Sequence, residues 1–131
     1  MIPTRDLKAI GRARLQDAQV LLRARRFDGA SYLCGYAVEL ALKARICRTL
    51  KWAGFPESGS EVKGMQSVRT HDLDILLRFS GIEARVRAKR PAEWSVVLGW
   101  SPERRYQAVG LSSAQETTDM IESVRRLLEL L

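Results

Sequence analysis

The hydrophobic pattern peaks between Phe27 and Trp52, FDGASYLCGYAVELALKARICRTLKW, a stretch long enough for about seven helical turns. Leu33, Ala37, Leu40, Ala44 and Cys47 recur at helical spacing, and Cys34, Val38, Ala41 and Leu42 fill much of the remaining circumference. A helix that is apolar nearly all round belongs at the centre of a core with other helices packed on it. One stripe interrupts the pattern. Tyr32, Tyr36, Glu39 and Lys43 fall within roughly 60° of one another at 100° per residue, and Glu39 and Lys43 stand at i and i+4 in the favourable order. The pattern predicts a polar seam on a central helix.

The flanking elements follow from the same periodicity. A first helix is expected from Thr4 to about Arg25, with Pro3 ahead of it and Asp6 in its first turn; Leu7, Ile10, Gly11, Ala18, Leu21 and Leu22 face inward, with Leu15 at the edge. The short turn Arg26-Phe-Asp-Gly, with Asp28 as N-cap, makes the first two helices antiparallel neighbours. Gly54 and Pro56 supply the stop after the central helix. Residues 53–69, AGFPESGSEVKGMQSVR, show no periodicity and read as a long mobile loop. Thr70 is expected to cap a third helix over His71–Ser80, which Gly81 ends. Pro91 opens a further helix carrying Trp94, Val97, Leu98 and Trp100, and Ser101-Pro102-Glu103 reads as a turn or a fresh helix start. A last helix begins at Ser112 or Ser113, since both Ser112…Gln115 and Ser113…Glu116 fit a capping box. Its buried stripe is Ala114, Thr117, Ile121, Val124, Leu128 and Leu131. No strand alternation and no internal repeat is visible. The fold expectation is an all-α bundle forming one domain over residues 1–131.

Three separated segments resemble a known family: Ala30-Ser-Tyr-Leu-Cys-Gly-Tyr-Ala-Val-Glu-Leu-Ala-Leu-Lys-Ala, Thr70-His-Asp-Leu, and Trp100-Ser-Pro-Glu-Arg-Arg-Tyr106. They occur in the order found in the bacterial HEPN-domain proteins (higher eukaryotes and prokaryotes nucleotide-binding), and the resemblance runs from about Leu15 to the C-terminus. It implies an up-and-down bundle of four to five helices, usually a homodimer. Such bundles are related to the substrate-binding domains that accompany small nucleotidyltransferases. Family members include RNases and toxin-antitoxin or defence partners, and many have no assigned activity.

The family's RNase signature is an Arg, four to six intervening residues, and a His. The chain has one histidine, His71, and the required positions hold Gly64, Met65 and Gln66. Arg69 is too close, and no histidine follows Arg104 or Arg105. Cleavage of the family type needs a proton-transfer group and a cation at the scissile phosphate; the family's arrangement of them is absent, so no catalytic residue is assigned.

Composition changes the picture in one respect. Within 131 residues, 22 Lys and Arg face 15 Asp and Glu, a formal charge of +7, which attracts polyanions as well as keeping a chain soluble. The stripe Arg5, Lys8, Arg12, Gln19, Arg23 and Arg26 on the first helix is one candidate for phosphate contact; the alternative is a solvated face with snorkelling stems. Arg85, Arg87, Lys89 and Arg90 form the densest basic cluster. Cys34 and Cys47 fall on one predicted helix about 20 Å apart, too far to bridge, which suits reduced thiols and a cytoplasmic location. His71 has no His or Cys companion at ligand spacing, so no metal and no cofactor is expected. No stretch reads as a signal peptide or a membrane span.

The candidate binding residues are Tyr36, Glu39, Lys43, His71, Arg104, Arg105 and Tyr106. Glu39 is either a general base, if buried, or is kept ionised and paired by Lys43 one turn on; Arg105 either pairs with Glu39 or another interior carboxylate or grasps a phosphate. His71 is either a structural capping group or a proton-transfer group. The tyrosines either pack in the core or stack on bases. The resulting expectation is a HEPN-like nucleotide- or RNA-binding module without the family's RNase activity, a partner of a minimal nucleotidyltransferase. The alternatives are a metal-independent ribonuclease with a non-standard composite site using His71 with Arg69 or Arg105, and a purely structural helical interaction domain.

Overall fold

The computed structural model describes residues 1–58 and 68–131; the portion of the expected mobile loop at 59–67, with positions Gly64, Met65 and Gln66, lies outside the described residues. The chain is mostly helical. Its elements are β1 (Ile2–Pro3), α1 (Thr4–Arg23), α2 (Phe27–Leu50), β2 (Gly54–Phe55), α3 (Leu73–Phe79), α4 (Glu83–Lys89), α5 (Pro91–Leu98), a 3-10 helix (Pro102–Tyr106) and α6 (Ala114–Leu130). Among the described residues, six α-helices thus replace the expected four to five. The extra one is α4, whose seven residues carry one fully buried side chain, Val86, and too short a pattern to register as periodic.

The apolar circumference of α2 places it at the centre. It packs along α1 and α6 and carries α3, while α5 lies on α6. Cys34, Ala37, Val38, Leu42, Ile46 and Cys47 are inaccessible to solvent. Burial pushes the Cys34 thiol up to about 12, so it stays protonated, and both cysteines are free. Of the expected inward face of α1, Leu7, Gly11 and Ala18 are buried, whereas Ile10 is 39% exposed. Ala114 at the start of α6 is exposed; the buried stripe runs instead through Thr117, Met120, Ile121, Val124 and Leu127, with Leu128 and Leu131 partly covered.

Several local expectations are corrected. Arg26 rather than Asp28 stands at the cap position of α2 and makes no side-chain cap. Asp28 instead accepts hydrogen bonds from the backbone N–H of Gly110 (2.7 Å) and Ser112 (3.0 Å), tying the segment before α6 to the start of α2. These two bonds lower the Asp28 pKa below its usual 3.8. The helix α2 stops four residues before Gly54, because Lys51 adopts the left-handed conformation (φ 56°) and Trp52 donates its N–H back to the Cys47 carbonyl at 2.8 Å. Gly54–Phe55 then pairs antiparallel with Ile2–Pro3, in a chain expected to have no strands. Gly54, Phe55 and Pro56 are buried, so this part of the expected loop is packed. Asp72, not Thr70, caps α3, accepting from the N–H of Asp74 and Ile75; Thr70 Oγ1 accepts from the N–H of Asp72 instead. His71 therefore precedes the helix rather than opening it. For α6 the choice falls on Ser113, whose Oγ accepts from the Glu116 N–H at 3.0 Å.

Among the described residues no helix is long and apolar enough to cross a membrane, and no group of three His, Cys, Asp or Glu could hold a metal ion.

Candidate functional site

The seam on α2 organises two adjoining hollows. Glu39 is 3% exposed at its side chain and receives Lys43 Nζ on Oε1 at 2.9 Å. The same oxygen is bonded by Nδ1 of His71. A carboxylate only accepts, so Nδ1 carries the proton and Nε2 is left to face outward on a ring that is 63% exposed. The other Glu39 oxygen, Oε2, is buried with no partner among the described residues. Lys43 also sits over the Phe55 ring at 5.1 Å, a contact that attracts the ammonium to the ring face. Lys43, Arg69, Thr70 and His71 line a groove of about 240 Å³ closed on its apolar side by Leu40, Phe55 and Pro56.

The second hollow, about 360 Å³, is lined by Ile10, Arg14, Tyr32, Leu33, Tyr36 and Leu40. Leu40 is common to both. The Tyr32 and Tyr36 hydroxyls are 3.1 Å apart and their rings meet edge-on at 5.4 Å. Trp100 packs edge-on against Tyr36 at 4.8 Å and donates Nε1–H to the Tyr32 carbonyl at 2.9 Å. Gly35 makes this possible: a Cβ there would lie 2.1 Å from Trp100 ring atoms. Burial, followed by the bond to Tyr32, pushes the Tyr36 phenol up to about 12. Glu39 adds to that rise and Arg105 opposes it, so both charges act on this phenol.

The structure therefore joins Glu39, Lys43 and His71, with Tyr36 in the next hollow. It separates the other three. Arg104 is partly buried and donates Nη1–H to Ser31 Oγ at 2.7 Å, while its buried Nε has no partner among the described residues. The expected pairing of Arg105 with Glu39 does not occur. Arg105 lies on an exposed 3-10 turn, donates to the Pro102 carbonyl at 3.0 Å, approaches Glu103 at 3.7 Å and stacks on Tyr106 at 4.6 Å. Glu39 already holds two cationic or proton-donating partners on one oxygen, and the turn carries Arg105 outward. Tyr106 is 74% exposed and lines neither hollow.

Two contributors escaped the sequence reading. Phe55 under Lys43 had no signal beyond an apolar residue between Gly54 and Pro56. Trp100 was expected only as a core anchor; a glycine in the middle of the most apolar helix was the available hint that a large ring approaches there. Compared with known proteins, the chain matches no family model, no curated protein and no solved structure.

Proposed function

We propose that this chain is a HEPN-like module, an up-and-down bundle in type, that binds a nucleotide or RNA and lacks the family's ribonuclease signature. In this reading it acts as a homodimer and as the partner of a minimal nucleotidyltransferase of toxin-antitoxin or defence type. One observation carries the binding claim: a polar hollow that presents Lys43, Arg69 and His71, with Glu57 also on its lining, shares Leu40 as a wall with an aromatic hollow. Tyr36 and Lys43 are seven residues apart on one helix, about 10 Å, a span suited to a base at one end and a phosphate at the other. A volume of about 240 Å³ is below the range of pockets that enclose a whole drug-sized ligand, which suits a phosphate end with the base held by Tyr32 and Tyr36. Arg69 is the cleanest probe, because it is exposed and makes no ion pair among the described residues. Titrating ATP into the protein calorimetrically at low salt is expected to give binding that Arg69→Gln weakens about tenfold, the loss of one charge-assisted contact. Binding unchanged by both Arg69→Gln and Tyr32→Ala would remove the hollows as the site, and no binding to the wild type would remove the reading.

A second reading, metal-independent phosphodiester cleavage, is favoured by the Glu39–His71 pair. A carboxylate on Nδ1 leaves Nε2 as a proton acceptor beside Lys43 and Arg69. Incubating labelled RNA with wild type and His71→Ala decides it: cleavage lost with the imidazole supports this mechanism, and cleavage unaffected discards it.

A further inference from the structure

The basic cluster on α4 separates into neutralised and unneutralised halves. Arg87 is held by Asp74 at 2.7 Å and Glu83 at 3.1 Å, and Arg90 lies 3.9 Å from both Glu93 and Glu129. Arg85 and Lys89, one helical turn apart on the same side of α4, make no ion pair among the described residues. On the C-terminal half of α2, Arg45 and Arg48 also make no ion pair among the described residues.

A fixed contact ties the turn between α3 and α4 to α2. Thr49 Oγ1 donates to the Ser80 carbonyl at 2.5 Å, and Gly81 (φ +79°) packs so close to Thr49 that a Cβ there would meet its side chain at 2.8 Å. This docks the start of α4 on α2, with Ile82 and Val86 turned into the core. Arg85, next to Val86, is carried toward Arg45 and Arg48. The crowding is felt: the partly buried Arg45 guanidinium is lowered from its ordinary pKa by burial, then by the charges of Arg48 and Arg85. The C-terminal dipole of α2 accounts for a cation at Arg48. It does not account for a third guanidinium, that of Arg85, which comes from another helix and makes no ion pair among the described residues.

We propose that Arg45, Arg48 and Arg85 form a phosphate-binding patch that grips the backbone of a nucleic-acid strand. Guanidiniums suit this task, since each presents a planar fork to phosphate oxygens. A bound phosphate would also supply the counter-charge that Arg45, Arg48 and Arg85 lack among the described residues. The inference rests on the nucleic-acid reading above, but on a different face: Arg45 is two residues, about 200°, around α2 from Lys43.

The test uses the full chain and a fluorescein-labelled uridine oligonucleotide of about 20 nucleotides, long enough to span such a site, followed by anisotropy across about 50 to 200 mM salt. If each arginine holds one phosphate, Arg45→Gln/Arg48→Gln/Arg85→Gln lowers the log–log salt slope by about 2 and weakens binding about 100-fold at 0.1 M salt. The control Arg78→Gln/Arg125→Gln/Arg126→Gln removes the same charge from α3 and α6 and is expected to lose less than about threefold, the residue of long-range attraction. Circular dichroism checks that both variants are folded. Equal losses in the two variants would reduce the effect to net charge and overturn the patch, as would an unchanged slope. Absence of RNA binding by the wild type, or binding only to vesicles of anionic lipid, would also overturn it. The ATP titration with Arg69→Gln reads the α2 hollows independently of all these outcomes.

Discussion

Replacing Gly35 by Ala puts two opposed effects on one atom. In the middle of α2, alanine is favoured over glycine by about 0.5–1 kcal/mol because it loses less backbone freedom on folding. At this position, however, the added Cβ would lie 2.1 Å from two Trp100 ring carbons and 2.3 Å from a third, where carbon atoms normally rest at about 3.5–4.0 Å. Trp100 is 3% exposed and its Nε1–H is bonded to the Tyr32 carbonyl, so the ring has no free direction to yield. Overpacking a tight core costs about 1–3 kcal/mol, and expelling the ring outright approaches the 3–5 kcal/mol of a large-to-small tryptophan change. The clash wins: Gly35→Ala is expected to destabilise by about 2–3 kcal/mol, with a fall in Tm on the order of 10 °C. Urea unfolding followed by circular dichroism measures it. Trp100→Leu should cost less in the Gly35→Ala background than alone, with a coupling of about 1 kcal/mol or more. A variant as stable as the wild type, or additive behaviour of the two changes, would refute the close packing of Trp100 on α2. The same contact shapes the hollow beside Tyr36, so weakened ATP binding should accompany the loss.

Lys43→Met leaves the Glu39 carboxylate buried without its ammonium and is expected to cost about 3–5 kcal/mol, whereas Glu39→Gln/Lys43→Met, which removes both charges, should recover most of that; chemical denaturation of both variants checks the order, and equal stability of the two would contradict a buried pair. The Asp28 link to Gly110 and Ser112 holds while the carboxylate is ionised. Because its folded pKa is lowered, the contribution is complete above its ordinary 3.8 and is lost as pH falls through the lower folded value. Hydrogen exchange at the Gly110 and Ser112 amides should therefore become faster relative to neighbouring amides as pH drops below about 4, with Asp28→Asn showing no such step; a step that persists in Asp28→Asn would assign it elsewhere.

The parts of the fold that were legible beforehand are those encoded within one helical turn. The apolar circumference of α2, the Pro91 start of α5, a serine cap for α6 at Ser112 or Ser113 and the Glu39–Lys43 pair all depend on residues at i to i+4, whose relative positions a helix sets whatever surrounds it. The site was legible to the same extent: the seam Tyr32, Tyr36, Glu39 and Lys43 was visible as a stripe, but its environment was not. Asp28 fits an N-cap by local chemistry and is instead drawn to amides 82 and 84 residues away. Arg105 has the chemistry to pair with Glu39, yet its 3-10 turn takes it outward.

By itself, then, the sequence determined which faces are oily, where most helices begin and that a polar stripe crosses the innermost one. Only the tertiary structure decided that His71, 32 residues from Glu39, completes that stripe, that Trp100 fills the space Gly35 leaves, and that Arg87 and Arg90 face carboxylates while Arg85 meets none among the described residues. Such pairings depend on how the chain reverses between elements, through Arg25, Lys51 and Gly81 at positive φ. Patterns with a period of 3.6 residues specify the rotation of each helix about its own axis but carry no information on which residue of another helix will face it.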